Sequence, residues 1–161
     1  MSIDSLLAVQ RSSYAAATTR FRNVLWPEAE ALGRDELTTL LDRHRYCVLA
    51  TARADGRAHA APVAFIVHDG AFWFATVAGL RLRSLTARPW ASLVVMEGDA
   101  DIGEAGASHI ALTAEGPVTL HAIEDWRSFE AEWLRRHTDP PKWAAALAEL
   151  RPERLFTHAA R

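Results

Sequence analysis

Short runs rich in hydrophobic and β-forming residues fill the middle of the chain, and turn residues separate them. The runs cover residues 46–52, 58–67, 72–77 and 90–96. Such runs are typical of β-strands, and the Asp55-Gly56 pair between the first two favours a type I′ hairpin turn. A second turn falls at Asp69-Gly70. Because connections this short cannot join parallel strands, the pattern predicts an antiparallel meander, the beginning of a small barrel.

Pro62 lies inside the second predicted strand. Proline has no backbone N–H to donate to a neighbouring strand, so it is confined to sheet edges and bulges. The position therefore predicts an edge strand, a bulge, or a break in the ladder that faces a ligand.

The rest of the chain predicts further strands and short helices. Residues 109–114 and 117–122 form the fifth and sixth strands, or one long bent strand. Helical patterns cover residues 35–41, 80–87, 123–136 and 142–150, and residues 154–158 are a candidate last strand. Residues 97–107 predict an acidic loop. Residues 1–33 predict an N-terminal arm that packs on a partner subunit or is partly ordered.

Composition narrows the class of protein. A chain of 161 residues, 50% hydrophobic and 24% charged, is typical of a single globular domain over residues 1–161. The net charge of −2 disfavours a nucleic-acid partner, which needs concentrated positive charge. Cys47 is the single cysteine, which excludes a disulfide within the chain and favours a cytoplasmic location. No apolar run approaches the roughly 18 residues of a membrane span, so no membrane partner is expected.

A strand-turn-helix segment is the first candidate binding site. Thr76 ends the third predicted strand, Gly79 permits a tight turn, and a helix with Arg81 and Arg83 follows. A helix N-terminus attracts anions through its unpaired N–H groups, and arginine grips phosphate oxygens in pairs. The segment is equally compatible with a phosphate site and with an ordinary turn that carries solvent-facing arginines.

Seven short motifs in a fixed order resemble the pyridoxamine 5′-phosphate oxidase-like family, the FMN-binding split β-barrels. They are Leu49-Ala50-Thr51, Asp55-Gly56-Arg57, Ala61-Pro62-Val63-Ala64-Phe65, Asp69-Gly70, Phe74-Ala75-Thr76, Gly79-Leu80-Arg81-Leu82-Arg83-Ser84-Leu85 and Arg88-Pro89-Trp90-Ala91-Ser92-Leu93. Together they span about half the chain. The sequence departs from the family pattern at Leu80, at Ser84 in place of the usual Asn, and near Ala111 in place of a Gln.

The resemblance implies a mainly β (α+β) fold, an antiparallel six-stranded split β-barrel with flanking helices. It also implies a homodimer with two FMN sites at the subunit interface. The implied cofactor-binding residues are Ala61, Pro62, Val63, Ala64, Ala75, Thr76, Arg81 and Arg83. Among these, Thr76 and Arg81 would hold the phosphate with support from Arg83, and residues 61–64 would lie along the flavin ring.

The activity implied by the resemblance is that of an FMN-dependent oxidoreductase acting on an unidentified small molecule, with a reduced nicotinamide as electron donor. Residues 151–158 do not resemble the end by which the true oxidases hold pyridoxal phosphate, which disfavours vitamin B6 oxidation. The alternatives are a deazaflavin-dependent reductase and a non-catalytic flavin- or haem-binding protein used in storage, sensing or stress. A further alternative is a barrel that has lost its cofactor.

The histidines offer little chemistry of their own. None pairs with a carboxylate at metal-ligand spacing, so no metal site is expected. His109 is a candidate to hydrogen-bond a flavin or substrate, although a structural role is favoured. His158 is the candidate haem ligand, since some split barrels bind haem through a terminal histidine.

Overall fold

The computed structural model describes residues 3–98 and 109–160. Eight strands lie in this part of the chain: β1 (Tyr46–Ala52), β2 (Ala58–Ala64), β3 (Ile66–His68), β4 (Ala71–Thr76), β5 (Trp90–Glu97), β6 (His109–His121), β7 (Ala146–Leu150) and β8 (Arg154–Ala160). The α-helices are α1 (Ile3–Ala16), α2 (Arg34–Arg43), α3 (Leu80–Ala87) and α4 (Glu130–Arg136). A π-helical turn (Phe21–Leu25) and two 3₁₀ segments (Glu28–Glu30 and Ile123–Phe129) complete them. Most of the predicted acidic loop lies outside the described residues.

The strands form one curled antiparallel sheet, in the order β2-β1-β5-β6-β7-β4-β3, with β8 also paired to β6. The long strand β6 joins the two halves of the barrel, because it pairs with β5 and β8 through its first part and with β7 through its last. The mainly β split barrel with flanking helices is thus confirmed. The predicted count of six strands is wrong, since eight are found among the described residues.

The predicted helix over residues 142–150 is wrong. Residues 146–150 form β7, which lies between β4 and β6 and is buried at all five positions. A strand that is covered on both faces does not alternate between hydrophobic and polar residues. The three-residue spacing of Leu147 and Leu150 is therefore also compatible with a helix, and only the pairing of this segment with other strands distinguishes the two. The helix predicted over residues 123–136 begins as a 3₁₀ segment and becomes α-helical only at Glu130.

Two other local predictions have different outcomes. Pro62 lies in β2, which is an edge strand, as the sequence predicts. The type I′ turn is not at Asp55-Gly56, where only Gly56 has positive φ (86°). The two positive φ angles that this turn requires occur instead at Asp69 (48°) and Gly70 (71°).

Gly116 lies where β6 changes partner. The carbonyl oxygens of Pro117 and Glu115 in β6 accept hydrogen bonds from the N–H groups of Arg151 and Glu153, which lie between β7 and β8. A Cβ at Gly116 would lie 2.1 Å from the carbonyl oxygen of Arg151, far inside van der Waals contact. Glycine therefore allows the crossing chain to approach, and residues 109–121 form the single long strand that was one of the two predicted forms.

The hydrophobic residues form two clusters on opposite sides of β4. The barrel interior contains Leu49, Phe65, Phe72, Phe74 and Leu93, all fully or nearly fully buried. The second cluster lies on the other side of β4, under residues 123–136, and contains Trp73, Phe129, Trp133 and Leu147. Side chains therefore fill the barrel interior, and residues 123–136 cover part of its outer face.

Helix α1 packs on the barrel of its own chain. Leu6 is fully buried, and the Tyr14 hydroxyl donates a hydrogen bond of 2.6 Å to the carbonyl oxygen of Thr157 in β8. Burial raises the pKa of Tyr14 to about 12, so this hydroxyl remains a donor at neutral pH. Among the described residues, no helix is long and apolar enough to span a membrane.

Candidate functional site

Strand β4 ends at Thr76, and α3 begins at Leu80 after a connection of three residues that ends at Gly79. Gly79 occupies the N-cap position in an extended conformation and offers no side chain to the first N–H groups of the helix. These N–H groups carry partial positive charge and remain open to a bound anion. The predicted strand-turn-helix segment is therefore present.

Two buried hydroxyl groups flank this connection. Thr76 is fully buried at the end of β4, and Ser84 is 2% exposed in the second turn of α3. Neither Thr76 Oγ1 nor Ser84 Oγ has a hydrogen-bond partner among the described residues. Most buried polar atoms in proteins are satisfied, so two unsatisfied hydroxyls in one segment indicate a missing partner such as a ligand oxygen or a water.

Arg81 is a partly buried cation that has no carboxylate partner within the described parts of the chain. Its Nη2 donates a hydrogen bond of 3.4 Å to the carbonyl oxygen of Pro62, which ties α3 to the edge strand β2. Burial lowers the pKa of Arg81. A bound anion would stabilise a partly buried guanidinium that has no carboxylate partner among the described residues. The open N–H groups at the start of α3 lie in the same helical turn as Arg81.

Cys47 lies on the inner face of β1, close enough to Arg81 for their charges to interact. Burial raises the pKa of its thiol to about 12, and the opposing effect of Arg81 is smaller. Cys47 is therefore a protonated core residue at neutral pH and not a nucleophile.

The structure brings only some of the predicted residues together. On β2, Pro62 and Ala64 face outwards, whereas Val63 points into the barrel and is 6% exposed. Ala61 shares the face of Val63 and is partly exposed. Ala75 packs in the second hydrophobic cluster, on the face of β4 opposite to Thr76.

Arg83 is exposed on α3, and no ion pair joins it to another described residue. The hydrogen bond between Arg81 and Pro62 is thus the direct link between the predicted phosphate end and the predicted ring strand.

Outside the barrel, two central strands carry an exposed apolar strip. It consists of Tyr46, Val48, Trp90, Val94 and Met96, which are between 39% and 64% exposed. Val48 is the cross-strand partner of both Pro62 and Val94, so the strip continues directly into the outward face of β2. Large exposed apolar patches are typical of interaction surfaces, and β1 and β5 lie inside the sheet rather than at its edge.

The two candidate histidines lie beside each other, with ring centroids 5.0 Å apart. Nδ1 of His158 is 3.5 Å from a carboxylate oxygen of Glu30, and the Trp26 ring lies 6.0 Å from the His158 ring. The side chain of His158 is 13% exposed. Residues 26–30 therefore cover the face of the barrel on which this histidine lies.

Sequence reasoning missed two features. It treated Ser84 only as a departure from a family pattern, whereas its hydroxyl is buried and unsatisfied. The second feature is Arg136, at the end of the predicted helix over residues 123–136, which is buried and lines a cavity that reaches Ala64. The run Arg135-Arg136-His137, just before a double proline, was the available signal.

The curled sheet and the arginine beside its edge strand define a split β-barrel protein with a candidate anion site. The family model for pyridoxamine 5′-phosphate oxidase matches residues 34–159, and the chain belongs to this family. No curated protein matches the sequence significantly.

Solved structures of the same shape come from several bacteria. The conserved hypothetical protein Rv2991 from Mycobacterium tuberculosis has a TM-score of 0.70 at 17% identity, over 84% of this chain and 90% of its own. The haem storage protein HutZ from Vibrio cholerae has a TM-score of 0.64 at 20% identity, over 77% and 93%. An FAD-binding protein (mll6688) from Mesorhizobium loti has a TM-score of 0.60 at 22% identity, over 79% and 93%. At these identities the similarities show a shared fold.

Proposed function

We propose that the protein binds FMN between β2 and α3 and acts as an FMN-dependent oxidoreductase on a small molecule. The observation that carries this proposal is the partly buried Arg81, which lacks a carboxylate partner among the described residues and lies in the same segment as two unsatisfied buried hydroxyls. A phosphate group would supply negative charge to the guanidinium of Arg81 and acceptor oxygens to the two hydroxyls. Membership of the family supports FMN as the source of that phosphate.

Each residue of the segment has a defined task in this proposal. Arg81 and the first N–H groups of α3 would hold the phosphate, with Thr76 and Ser84 as hydroxyl donors and Arg83 as an additional charge. The outward face of β2 at Pro62 and Ala64 would support the flavin ring. The bound flavin would supply hydride or single-electron transfer, and the protein would supply binding, orientation and exclusion of water.

We further propose that a second copy of the chain covers the apolar strip at Val48, Trp90, Val94 and Met96, and leaves Tyr46, at one end of the strip, exposed. The strip adjoins the outward face of β2, so a partner placed on it would also enclose the flavin ring. A two-fold interface uses the same patch on both subunits, so the apolar strip would pack against its own copy. The homodimer would thus complete two equivalent flavin sites.

A comparison of FMN with riboflavin tests the phosphate site directly. The two ligands share the ring and the ribityl chain, and only FMN has the phosphate. Charge-assisted hydrogen bonds contribute about 1.5–3 kcal/mol each, so FMN is expected to bind at least about tenfold more tightly. Titration by flavin fluorescence quenching measures both affinities. Equal affinities would show that the phosphate is not held.

A further inference from the structure

A basic cavity of about 260 Å³ opens beside the end of β2. The residues that give it its chemistry are Arg45, Tyr46, Ala64, Arg136, His137 and Trp143. They come from the residue before β1, from β1 and β2, from the last residue of α4 and from the loop after it. That loop returns to the end of β4, where the Ala145 N–H donates to the Thr76 carbonyl oxygen. The cavity therefore adjoins the edge strand proposed to support the flavin ring.

The buried guanidinium of Arg136 has an unused donor. Arg136 is 6% exposed, its Nη2 donates to the carbonyl oxygen of His44, and its Nη1 lies 3.5 Å from Oδ1 of Asp42. Its Nε is buried and has no hydrogen-bond partner among the described residues. One N–H of a side chain that lines the cavity thus has no acceptor among the described residues.

Positive charge in the cavity exceeds negative charge. Arg45 is exposed, and no carboxylate of the described residues lies within ion-pair distance of it. Asp42 is shared, at 3.5 Å, between Arg135 and Arg136, which leaves Asp139 at the rim as the carboxylate that lines the cavity.

His137 is uncharged and adds no further positive charge to the cavity. Burial first, and the nearby arginines second, lower its pKa, so at neutral pH the ring is uncharged. Its Nε2 lies 3.2 Å from the carbonyl oxygen of Phe65 and donates to it, which leaves Nδ1 as an acceptor.

Two planar side chains stand exposed at the mouth of the cavity. Tyr46 is 63% exposed and Trp143 is 58% exposed. Beneath them, Trp133 is held by a hydrogen bond of 2.9 Å from its Nε1 to the carbonyl oxygen of Asp139, which fixes the loop. Exposed aromatic faces next to a cationic recess suit a ligand with a flat ring and one acidic group.

We infer that the basic cavity binds a small aromatic carboxylic acid, with the carboxylate on Arg45 and Arg136 and the ring between Tyr46 and Trp143. A single carboxylate matches one free N–H of Arg136 together with the fork of Arg45. The lining carries two arginines and one aspartate, and this excess of one positive charge matches a monoanionic carboxylate better than a phosphate dianion. The assignment of this acid as the enzyme's substrate rests on the proposed function, because Ala64 belongs both to the cavity and to the strand that would support the flavin.

Calorimetric titration of the full-length protein with 1-naphthoate tests the site. Neutral 1-naphthylmethanol and dianionic 1-naphthyl phosphate are the matched ligands, and both are expected to bind at least about tenfold more weakly. Arg45→Gln is expected to weaken naphthoate binding by about tenfold or more, and Trp143→Ala by roughly fivefold. Both residues are exposed, so both variants should fold. Arg127→Gln, another exposed arginine that does not line the cavity, is the control and should bind like the wild type.

The same titration with and without added FMN separates this inference from the proposed function. Naphthoate binding that depends on Arg45 in a protein that retains no FMN would support the cavity and defeat the flavin proposal. Retained FMN with no naphthoate binding, or with unchanged binding in Arg45→Gln, would overturn the inference alone. Tighter binding of the phosphate ester than of the carboxylate would also overturn it.

Discussion

Arg81→Glu is expected to abolish FMN binding while leaving the barrel folded. In the wild type, the guanidinium lacks a carboxylate partner within the described residues and lies at the open end of α3. Removing its charge-assisted hydrogen bonds costs about 1.5–3 kcal/mol, or roughly 10- to 100-fold in affinity. A carboxylate in its place adds repulsion of the phosphate. Fluorescence titration measures the loss, and circular dichroism checks the fold.

Two further variants make this result specific. Arg81→Gln removes the charge without reversing it and should weaken FMN binding while leaving riboflavin binding nearly unchanged. Arg127→Glu, which reverses an exposed charge on the 3₁₀ segment 123–129, should bind FMN like the wild type. An Arg81→Glu protein that binds FMN with wild-type affinity would defeat the phosphate assignment.

Val94→Glu is expected to convert a dimer into monomers. Val94 lies in the middle of the apolar strip, opposite Val48 on the neighbouring strand. In a two-fold interface the substitution buries two carboxylates, and burying an unpaired charge costs several kcal/mol. A loss of several kcal/mol weakens dimerisation by roughly a hundredfold or more. Analytical ultracentrifugation measures the change, and FMN affinity should fall with it because the partner would enclose the ring.

Leu134→Glu is the matched control for the interface. Leu134 is also an exposed hydrophobic residue, 40% exposed, but it lies on α4 rather than on the strip. Its replacement should leave the oligomeric state and FMN binding unchanged. A wild-type protein that is monomeric at micromolar concentration, or a Val94→Glu protein that remains dimeric, would contradict the proposed interface.

The sequence predicted the parts of the fold that local patterns specify. Strands β1, β2, β4 and β5 follow from β-rich runs separated by turn residues, and the edge position of Pro62 follows from its missing N–H. Strand β7 could not be predicted in this way, since a fully buried strand has no alternation. Its identity depends on β4 and β6, which lie far from it in sequence.

The same distinction between local and tertiary features holds for the candidate site. The strand-turn-helix segment with Thr76 and Arg81 is local in sequence, and the structure contains it. The basic cavity joins Arg45 to Arg136 and Trp143, which only the folded chain brings together. Ser84 illustrates a third case, because the burial that leaves its hydroxyl unsatisfied is a tertiary property.

The absorbance spectrum of the purified protein is the decisive test of FMN binding. The protein is mixed with excess FMN, desalted, and compared with parallel samples mixed with deazaflavin or with haem. We expect flavin bands to remain at one FMN per chain, and to be lost in Arg81→Glu. A spectrum without flavin bands after this treatment would contradict FMN binding, and a Soret band that disappears in His158→Ala would favour haem binding instead.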